Sequence, residues 1–299
     1  MQIGLVQKKK LDEANRRWKG RNKFEGKIIL ITGASSGIGR QVAIDLVNRG
    51  AGSVILVARS ASKLIDLKRT LQEICQYQGF TCTIEIHVCD VSKGDEVLKM
   101  GEKILQKFGY IDILVNNAGF GELGKVQDQS IEQIEAVMKT NYFGTVYCIK
   151  VFLHSMLMRH SGHIINVASL AASFGVAGMA GYCASKYAML GFSESLNHEL
   201  HGTGVTITVV SPIGVKTNFF NNQSFAGRKP NYTGFMLEPK TVSKAILAAA
   251  NSPRLEIIVP FYIRAAVWFK HTLPYAINPM IGALFRKQLD KDKKVDLKS

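Results

Sequence analysis

Short apolar runs, several of them rich in valine and isoleucine, alternate with longer amphipathic stretches from Lys27 to Val259. Some of these runs are apolar throughout, as expected of strands that are buried on both faces of a sheet. The alternation therefore predicts an α/β fold in which a doubly wound parallel sheet carries helices on both faces. The predicted strands are Ile28–Thr32, Ser53–Ala58, Thr83–Val88, Ile113–Asn116, His163–Val167, Thr206–Val210 and Glu256–Val259.

The segments between these strands show helical spacing, and no repeat, low-complexity tract or linker rich in proline, glycine or serine divides them. One domain is therefore expected over residues 27–259. A basic N-terminal extension precedes it at residues 1–26, and an apolar, then basic extension follows at residues 260–299. The predicted helices include Arg40–Arg49, Ser62–Gln78, Asp95–Phe108, Ser130–His160 and Tyr182–Leu200.

The formal net charge of +15 is concentrated at the two ends of the chain. Residues 1–27 contain nine Lys and Arg against three acids, and residues 264–299 contain eight against three. Two interpretations stay open: the ends are solvated, or an anionic membrane surface attracts them by about 1 kcal/mol per basic residue. No nucleic-acid partner is expected, because the sequence lacks a recognition motif and interleaved aromatic residues for stacking.

The C-terminal segment Pro260–Lys287 is rich in aromatic and aliphatic residues but is broken by charges and prolines. It is too interrupted for a membrane span of ~20 apolar residues. Either it forms an interfacial or lid segment, or it packs as extra helices over the core. The interrupting residues are Arg264, Lys270, His271, Pro274 and Pro279.

The cysteines include neither a C-x-x-C pair nor a cluster with histidine at zinc-ligand spacing, so reduced thiols and no metal site are expected. The N-terminus shows no apolar stretch and cleavage site typical of a secretory signal. A cytoplasmic protein is therefore expected, with peripheral contact at a membrane surface left open. The cysteines are Cys75, Cys82, Cys89, Cys148 and Cys183.

A glycine-rich turn, T-G-A-S-S-G-I-G-R over Thr32–Arg40, follows the first predicted strand and leads into a helix. Glycine lets the backbone turn sharply and approach a pyrophosphate, whose charge is attracted by the N–H groups and dipole at the helix N-terminus. The turn therefore predicts a phosphate-binding site. The expected contacts are Gly33, Ser35, Ser36, Gly37, Ile38 and Gly39.

Tyr182 and Lys186 are four residues apart, which places a phenol and an ammonium on the same face of a helix. An adjacent cation favours the ionised form of a phenol, so we expect Lys186 to lower the pKa of Tyr182. Ser169 lies 13 residues before Tyr182 and follows an apolar strand. Its hydroxyl is suited to stabilising charge on a substrate oxygen, and the set indicates general acid–base chemistry.

The glycine spacing T-G-x-x-x-G-x-G, together with Ser169 and Tyr182-x-x-x-Lys186, resembles the short-chain dehydrogenase/reductase family. The resemblance extends from Gly26 to about Val259. It implies a Rossmann-like fold, a nicotinamide cofactor, and hydride transfer to a carbonyl carbon while Tyr182 protonates the oxygen, or the reverse reaction on an alcohol. It also implies a homodimer or homotetramer assembled through the helices predicted at 130–160 and 182–200.

The resemblance implies further contacts, each with a structural alternative. Asp90 matches the position that faces the adenine, and Asn116-Asn117-Ala118-Gly119 matches a motif that lies along the cofactor and steadies the sheet. These residues serve either as contacts or only as structural turns. Asn141 matches an asparagine that holds a water next to the catalytic lysine, and a satisfied core asparagine is its alternative.

The family commonly has P-G and then a threonine after the sixth strand, where the backbone turns beneath the nicotinamide. Pro212 and Thr217 match this pattern, but Ile213 stands at the glycine position. A left-handed backbone there would be costly for a β-branched residue, so the loop is expected to differ locally. Contacts from Pro212, Ile213 and Thr217 to the cofactor are still expected.

The second predicted strand is followed by Arg59, where an NAD-binding site usually carries an acid for the adenosine ribose. A guanidinium instead pairs with a ribose phosphate through two charge-assisted hydrogen bonds. NADP(H) is therefore the predicted cofactor, with Arg40 or Ser35 as helpers. The alternative is that Arg59 is an exposed helix-cap residue.

Substrate choice is expected to depend on the segment from Thr217 to Glu238 and on the C-terminal extension. The aromatic character of the segment favours an apolar, lipid-like ketone or aldehyde. The alternatives are a reductase of small carbonyls or carrier-bound 3-oxoacyl groups, and a non-catalytic NADPH-binding sensor or scaffold. The apolar residues of the segment are Phe219, Phe220, Phe225, Tyr232, Phe235 and Met236.

Overall fold

The computed structural model describes residues 24–225 and 236–290, with side chains up to residue 283, and in these ranges seven parallel strands form one sheet. The strands are β1 (Ile28–Thr32), β2 (Ser53–Ala58), β3 (Thr83–Val88), β4 (Ile113–Asn116), β5 (Gly162–Val167), β6 (Val205–Pro212) and β7 (Glu256–Val259). They lie in the order β3-β2-β1-β4-β5-β6-β7, so the chain winds outward in both directions from β1 and β4. The predicted doubly wound α/β fold is confirmed.

The strand bounds match the prediction closely, and the main difference is at β6. This strand continues to Pro212, which pairs with Val259 at the end of β7. A partner strand more than forty residues away thus determines where β6 ends. Local sequence does not contain that information.

Helices cover both faces of the sheet. They are α1 (Gly37–Val47), α2 (Ala61–Gln78), α3 (Gly94–Phe108), α4 (Ile131–Met138), α5 (Gly144–Met158), α6 (Ala180–Glu199), α7 (Pro239–Asn251), α8 (Ile263–Thr272) and α9 (Pro274–Asp290). Buried residues of α1, α2 and α7 share one core with Ile29 and Ile31 of β1, whereas those of α3, α5 and α6 share a second core with Leu30. Because side chains alternate along a strand, the two cores lie on opposite faces.

The single helix predicted at Ser130–His160 is divided into α4 and α5 by a π-helical turn at Lys139–Phe143. It begins as predicted, because Ser130 and Gln133 form a reciprocal capping box. The π turn contains the buried Asn141, and such turns are frequent at functional sites. The predicted helical stretch is therefore helical from Ile131 to Met158, and the π turn at its centre is the feature that the sequence did not predict.

The C-terminal segment forms α8 and α9 after the sheet has ended at Val259. No residue of α8 is buried, and its main polar attachment is Lys270, which donates hydrogen bonds to the Ser173 carbonyl and the Tyr187 hydroxyl. Among the described helices, none has the length and apolar character that crossing a bilayer requires. Residues 1–23 and 291–299 of the predicted extensions, and Tyr232 and Phe235, lie outside the described residues.

Candidate active site

The candidate site lies at the carboxyl ends of β1 and β4, where the strand order reverses direction. In an open parallel sheet this switch point is where the connections leave a crevice for a ligand. The glycine turn follows β1, Asn117 follows β4, and Ser169 follows β5, so three predicted segments meet at one edge. The topology thus brings together residues that are up to 136 positions apart in sequence.

Backbone conformation explains why the turn after β1 requires glycine. Gly33 and Gly37 have φ angles of +63° and +53°, in the left-handed region that side chains disfavour. A Cβ at Gly39 would collide with the Gly33 carbonyl oxygen, so α1 starts in close contact with the turn. The N-cap Ser36 makes no side-chain capping bond, and the first turn of α1 carries no acid. The arrangement suits an anionic group at the helix N-terminus.

Thr32 connects the glycine turn to the loop after β4. Its hydroxyl oxygen accepts hydrogen bonds from the backbone N–H groups of Asn117 and Ala118, both at 3.0 Å. The Asn117 amide donates in return to the carbonyl oxygens of Thr32, at 3.0 Å, and Gly33, at 3.3 Å. Asn117 therefore has the structural role that was left open, and it holds Ala118 and Gly119 next to the turn.

Charged groups follow the ends of β2 and β3. Arg59 is exposed directly after β2, and the N-cap of α2 is Ser60, so Arg59 is not the helix cap. Burial raises the pKa of Asp90, but hydrogen bonds from Ser92 and the nearby charges of Arg59 and Lys93 outweigh it and lower the pKa overall. An ionised carboxylate and a guanidinium thus lie near each other at this edge. Arg40 is exposed on α1.

Ser169, Tyr182 and Lys186 come together in the structure. Ser169 is the N-cap of a short 3-10 helix after β5, where its hydroxyl accepts from the Ala171 N–H at 3.1 Å and lies near enough to Tyr182 to lower the pKa of that phenol. The Lys186 ammonium is buried, donates to the Val167 carbonyl at 3.0 Å, and lies 5.7 Å from the centre of the Tyr182 ring. A hydroxyl, a phenol and an ammonium therefore occupy one small volume.

Burial controls the ionisation of both groups on α6. It raises the pKa of Tyr182 to about 12, although the hydrogen bond from Ser169 opposes the rise. It lowers the pKa of Lys186 to about 8. Burial therefore sets the direction of the shift for Tyr182, and the opposing cause is Ser169. The lowering of the Tyr182 pKa by Lys186 stays a prediction. Tyr182 is protonated at neutral pH.

Asn141 is fully buried in the π turn and holds the loop after β4. Its Oδ1 accepts from the Phe120 N–H at 3.0 Å, and its Nδ2 donates to the Phe120 carbonyl and to the Ser185 hydroxyl, both at 2.9 Å. Both amide N–H groups are therefore used by the protein. A Cβ at Gly119 would lie 2.9 Å from Asn141 Oδ1 and 3.6 Å from Lys186 Nζ, so these groups line one wall. The water-holding role of Asn141 stays a prediction.

Aromatic residues after β6 cover Tyr182. The Phe219 ring packs edge-on against Tyr182 with centroids 5.3 Å apart, and Phe220 and the fully buried Phe225 complete the cluster. The segment Thr217–Phe225, which we call the lid, is attached to the loop after β4 by hydrogen bonds from Asn222 to Gly121 and from Leu123 to Ser224. At its start, Thr217 lies over the glycine turn, with its methyl carbon 2.9 Å from where a Cβ on Gly37 would stand.

The sequence match to a known family includes every one of these elements. The short chain dehydrogenase family matches residues 27–226, from the start of β1 to the end of the lid. The chain belongs to the short-chain dehydrogenase family.

Relatives and solved structures agree with this membership. An uncharacterized oxidoreductase of Staphylococcus saprophyticus is 36% identical over 230 residues, covering 77% of this chain and 93% of the relative. Epidermal retinol dehydrogenase 2 of Mus musculus is 29% identical over 267 residues, covering 88% and 84%. The short chain dehydrogenase/reductase of Burkholderia phymatum in complex with NAD has a TM-score of 0.73 at 26% identity, covering 84% and 94%. The alcohol dehydrogenase of Thermococcus sibiricus complexed with 5-hydroxy-NADP has 0.67 at 27%, covering 78% and 95%.

This short-chain dehydrogenase accommodates Ile213 without the left-handed backbone that was of concern. Among the described non-glycine residues, only His160 has a positive φ. The Ile213 N–H donates to the Val259 carbonyl at 2.9 Å, so β7 supports the turn, and Pro212 is still part of β6. The chain thus runs from Pro212 at the end of β6 through Ile213 to Thr217 at the start of the lid, and contacts from these residues to the cofactor stay predictions.

The sequence did not predict a role for three residues near the short-chain dehydrogenase site: Asn166, Ser193 and Glu122. Asn116 donates to Asn166 at 2.9 Å, and Asn166 donates to Ser193 at 2.9 Å, a buried polar chain that joins β4, β5 and α6. The signal was present: an asparagine near the end of an otherwise apolar strand. Glu122, next to the lid, has a buried Oε2 without a hydrogen-bond partner in the described residues, and burial raises its pKa.

Proposed function

We propose that this short-chain dehydrogenase interconverts a carbonyl and an alcohol with NADP(H), and that its substrate is an apolar, lipid-like ketone or aldehyde. The observation that carries the proposal is the grouping of Ser169, Tyr182 and Lys186 in one small volume beneath the aromatic lid. Each group has a chemical task in such a reaction.

In the reducing direction, the Tyr182 hydroxyl donates its proton to the substrate oxygen. Its pKa of about 12 keeps it protonated until that moment. Ser169 supports the same oxygen by a hydrogen bond as negative charge develops there. The Lys186 ammonium then lies close to the newly formed phenolate and stabilises it.

The residues near β1, β2 and β4 fit a dinucleotide. The glycine turn packs closely against the loop after β4, since a Cβ at Gly33 would collide with Ala118, and the N-terminus of α1 offers N–H donors without a competing acid. When bound, the nicotinamide cofactor supplies the hydride. We expect Gly33–Gly39 to hold the diphosphate, Asp90 the adenosine, and Asn117–Gly119 and Pro212–Thr217 the nicotinamide half.

The preference for NADP(H) rests on Arg59. The side chain is exposed at the end of β2, where an acid would select NAD, and Arg40 adds a second cation on α1. A ribose phosphate would meet positive charge there.

The apolar substrate class rests on the lid. Phe219 contacts Tyr182 directly, so a substrate oxygen that reaches this hydroxyl has to bring the rest of its molecule against aromatic rings. The retinol dehydrogenase among the relatives supports the same substrate class.

We also propose that the protein assembles with itself through α4, α5 and α6. Ile131, Phe143, Met158 and Tyr187 are exposed on these helices and the turn between them, with Ile131 66% and Met158 70% exposed. Large apolar side chains in such numbers favour a partner surface.

The test is the initial rate of NADPH and NADH oxidation with short aldehydes, long-chain carbonyls and cyclic ketones, for the parent and Tyr182→Phe. We expect NADPH turnover with apolar substrates, reduced by about 10²-fold or more in the variant. Activity that survives in Tyr182→Phe would overturn the mechanism.

The cofactor arm compares Arg59→Ala with Arg40→Ala. Arg59→Ala should weaken NADPH binding by about tenfold or more and leave the Kd of NADH nearly unchanged, because only NADPH carries the ribose phosphate. Equal Kd values for the two nucleotides in the parent would remove the NADP(H) assignment.

A further inference from the structure

The end of the chain carries a dense group of exposed aromatic and aliphatic side chains. Of the sixteen large apolar residues that are exposed in the described part of the chain, seven lie between residues 261 and 280. We call them the C-terminal aromatic face: Phe261, Tyr262, Trp268, Phe269, Leu273, Tyr275 and Met280. Single exposed apolar residues are ordinary, but a cluster of this size indicates a binding surface.

Helix α8, which carries Trp268 and Phe269 of this face, has a defined inner side. Ile263, Val267 and Lys270, spaced three or four residues apart, are half-buried on α8, whereas Trp268 and Phe269 are 60% and 47% exposed. Lys270 faces the protein, because it contacts Ser173 and Tyr187. The aromatic rings therefore point away from the body of the domain.

Charge identifies the kind of partner. Residues 257–289 contain no Asp or Glu, and Arg264 and His271 are exposed on α8 among the rings. Residues 290–299 add four Lys and three Asp, so the end of the chain stays net positive. A second copy of the chain would bring the same positive charge to this face, so self-association there is opposed, whereas an anionic surface is attracted.

Among anionic partners, the aromatic residues of this face favour a lipid surface. Tryptophan and tyrosine have an apolar body and a polar edge, and they prefer the boundary between lipid headgroups and hydrocarbon. Helices that lie in this boundary combine exposed aromatic residues with Lys and Arg and do not need the length of a membrane span. We propose that the C-terminal aromatic face binds the surface of an anionic lipid bilayer.

The attachment of α8 places this contact near the catalytic elements. Ser173 lies four residues after Ser169, and Tyr187 directly follows Lys186 on α6. Lys270 bonds to both, so a bilayer bound to α8 is connected to the segments that carry the proton-transfer residues. The binding itself does not depend on the proposed reaction and is measured without substrate.

The experiment is co-sedimentation of the full chain with phosphatidylcholine vesicles, with and without phosphatidylglycerol. The test variant combines Trp268→Ser, Phe269→Ser and Tyr275→Ser, which leaves all charges unchanged. The matched control combines Ile65→Ser, Tyr77→Ser and Leu98→Ser, which are similarly exposed on other helices. We expect the parent and the control to bind anionic vesicles alike, and the test variant to bind at least about tenfold more weakly.

A second readout does not use the test variant and is therefore independent of how that variant folds. In a Trp18→Phe background, Trp268 is the remaining tryptophan, and its emission should shift to shorter wavelength with anionic vesicles. No shift, no binding by the parent, or equal binding by the test variant would overturn the proposal. So would a dimer in lipid-free solution that the test variant converts to monomer, since the face would then contact protein.

Discussion

At the scale of single residues, burial reverses the normal order of two ionisations. The pKa of Tyr182 rises from 10.0 to about 12, and that of Lys186 falls from 10.5 to about 8. The lysine therefore loses its proton before the tyrosine does, although free side chains behave in the opposite order. The phenol is kept as a proton donor, and the buried ammonium is held at a cost to stability.

Lys186→Met should stabilise the cofactor-free protein near pH 7 by up to about 3 kcal/mol while abolishing activity. In the parent, the unfolded chain binds the Lys186 proton more tightly than the folded one. Stability therefore rises with pH between about 8 and 10.5 and is fully recovered only above that range. Urea unfolding of both proteins across this range should show the variant's advantage shrinking as pH increases.

The control for this experiment is Lys150→Met, which removes an exposed lysine from α5. Its stability difference from the parent should stay small and nearly independent of pH. An advantage of Lys186→Met that does not change between pH 7 and 10.5 would contradict the role given to the buried ammonium.

At the scale of elements, the lid depends on one glycine in the loop opposite. A Cβ at Gly121 would lie 2.5 Å from the Phe219 ring tip and 3.1 Å from the Met179 methyl carbon. Gly121→Ala should therefore displace Phe219 from Tyr182. We expect kcat/KM for apolar substrates to fall by about three- to tenfold, at a cost in stability of about 1–2 kcal/mol.

The matched variant is Gly175→Ala, where an added Cβ meets no atom within 4 Å. It should leave both the kinetics and the Kd of NADPH unchanged. If Gly121→Ala raised kcat/KM instead, the packed Phe219 ring would be an obstacle to the substrate and not part of its binding surface.

The strands could be predicted from the sequence almost to the residue. Runs such as Ile28–Thr32 are buried on both faces and therefore consist almost entirely of apolar residues. The glycine turn was predictable for a similar reason, because the left-handed backbone at Gly33 and Gly37 requires glycine. The π turn around Asn141 was not, because it depends on hydrogen bonds to Phe120, 21 residues earlier in the chain. The ionisation of Lys186 also escaped prediction, since burial is a property of the folded packing.

At the scale of the whole molecule, the assembly surface makes a separate prediction. Phe143 is 41% exposed and packs against Tyr142 and Tyr147, so Phe143→Arg would place a charge in the proposed contact. In sedimentation velocity, we expect the parent at a multiple of 33.0 kDa and the variant at 33.0 kDa. Tyr77→Arg, on α2, should assemble like the parent. A monomeric parent would refute the assembly proposal.

The lid touches both halves of the crevice, since Thr217 lies over Gly37 at the glycine turn and Phe219 lies on Tyr182. Any ligand that rearranges one of these contacts changes the packing at the other. If nucleotide and substrate bind as proposed, their binding free energies are linked, and the linkage is reciprocal: the factor by which bound nucleotide changes the affinity for substrate equals the factor by which bound substrate changes the affinity for nucleotide. The nine residues of the lid would then couple two neighbouring sites.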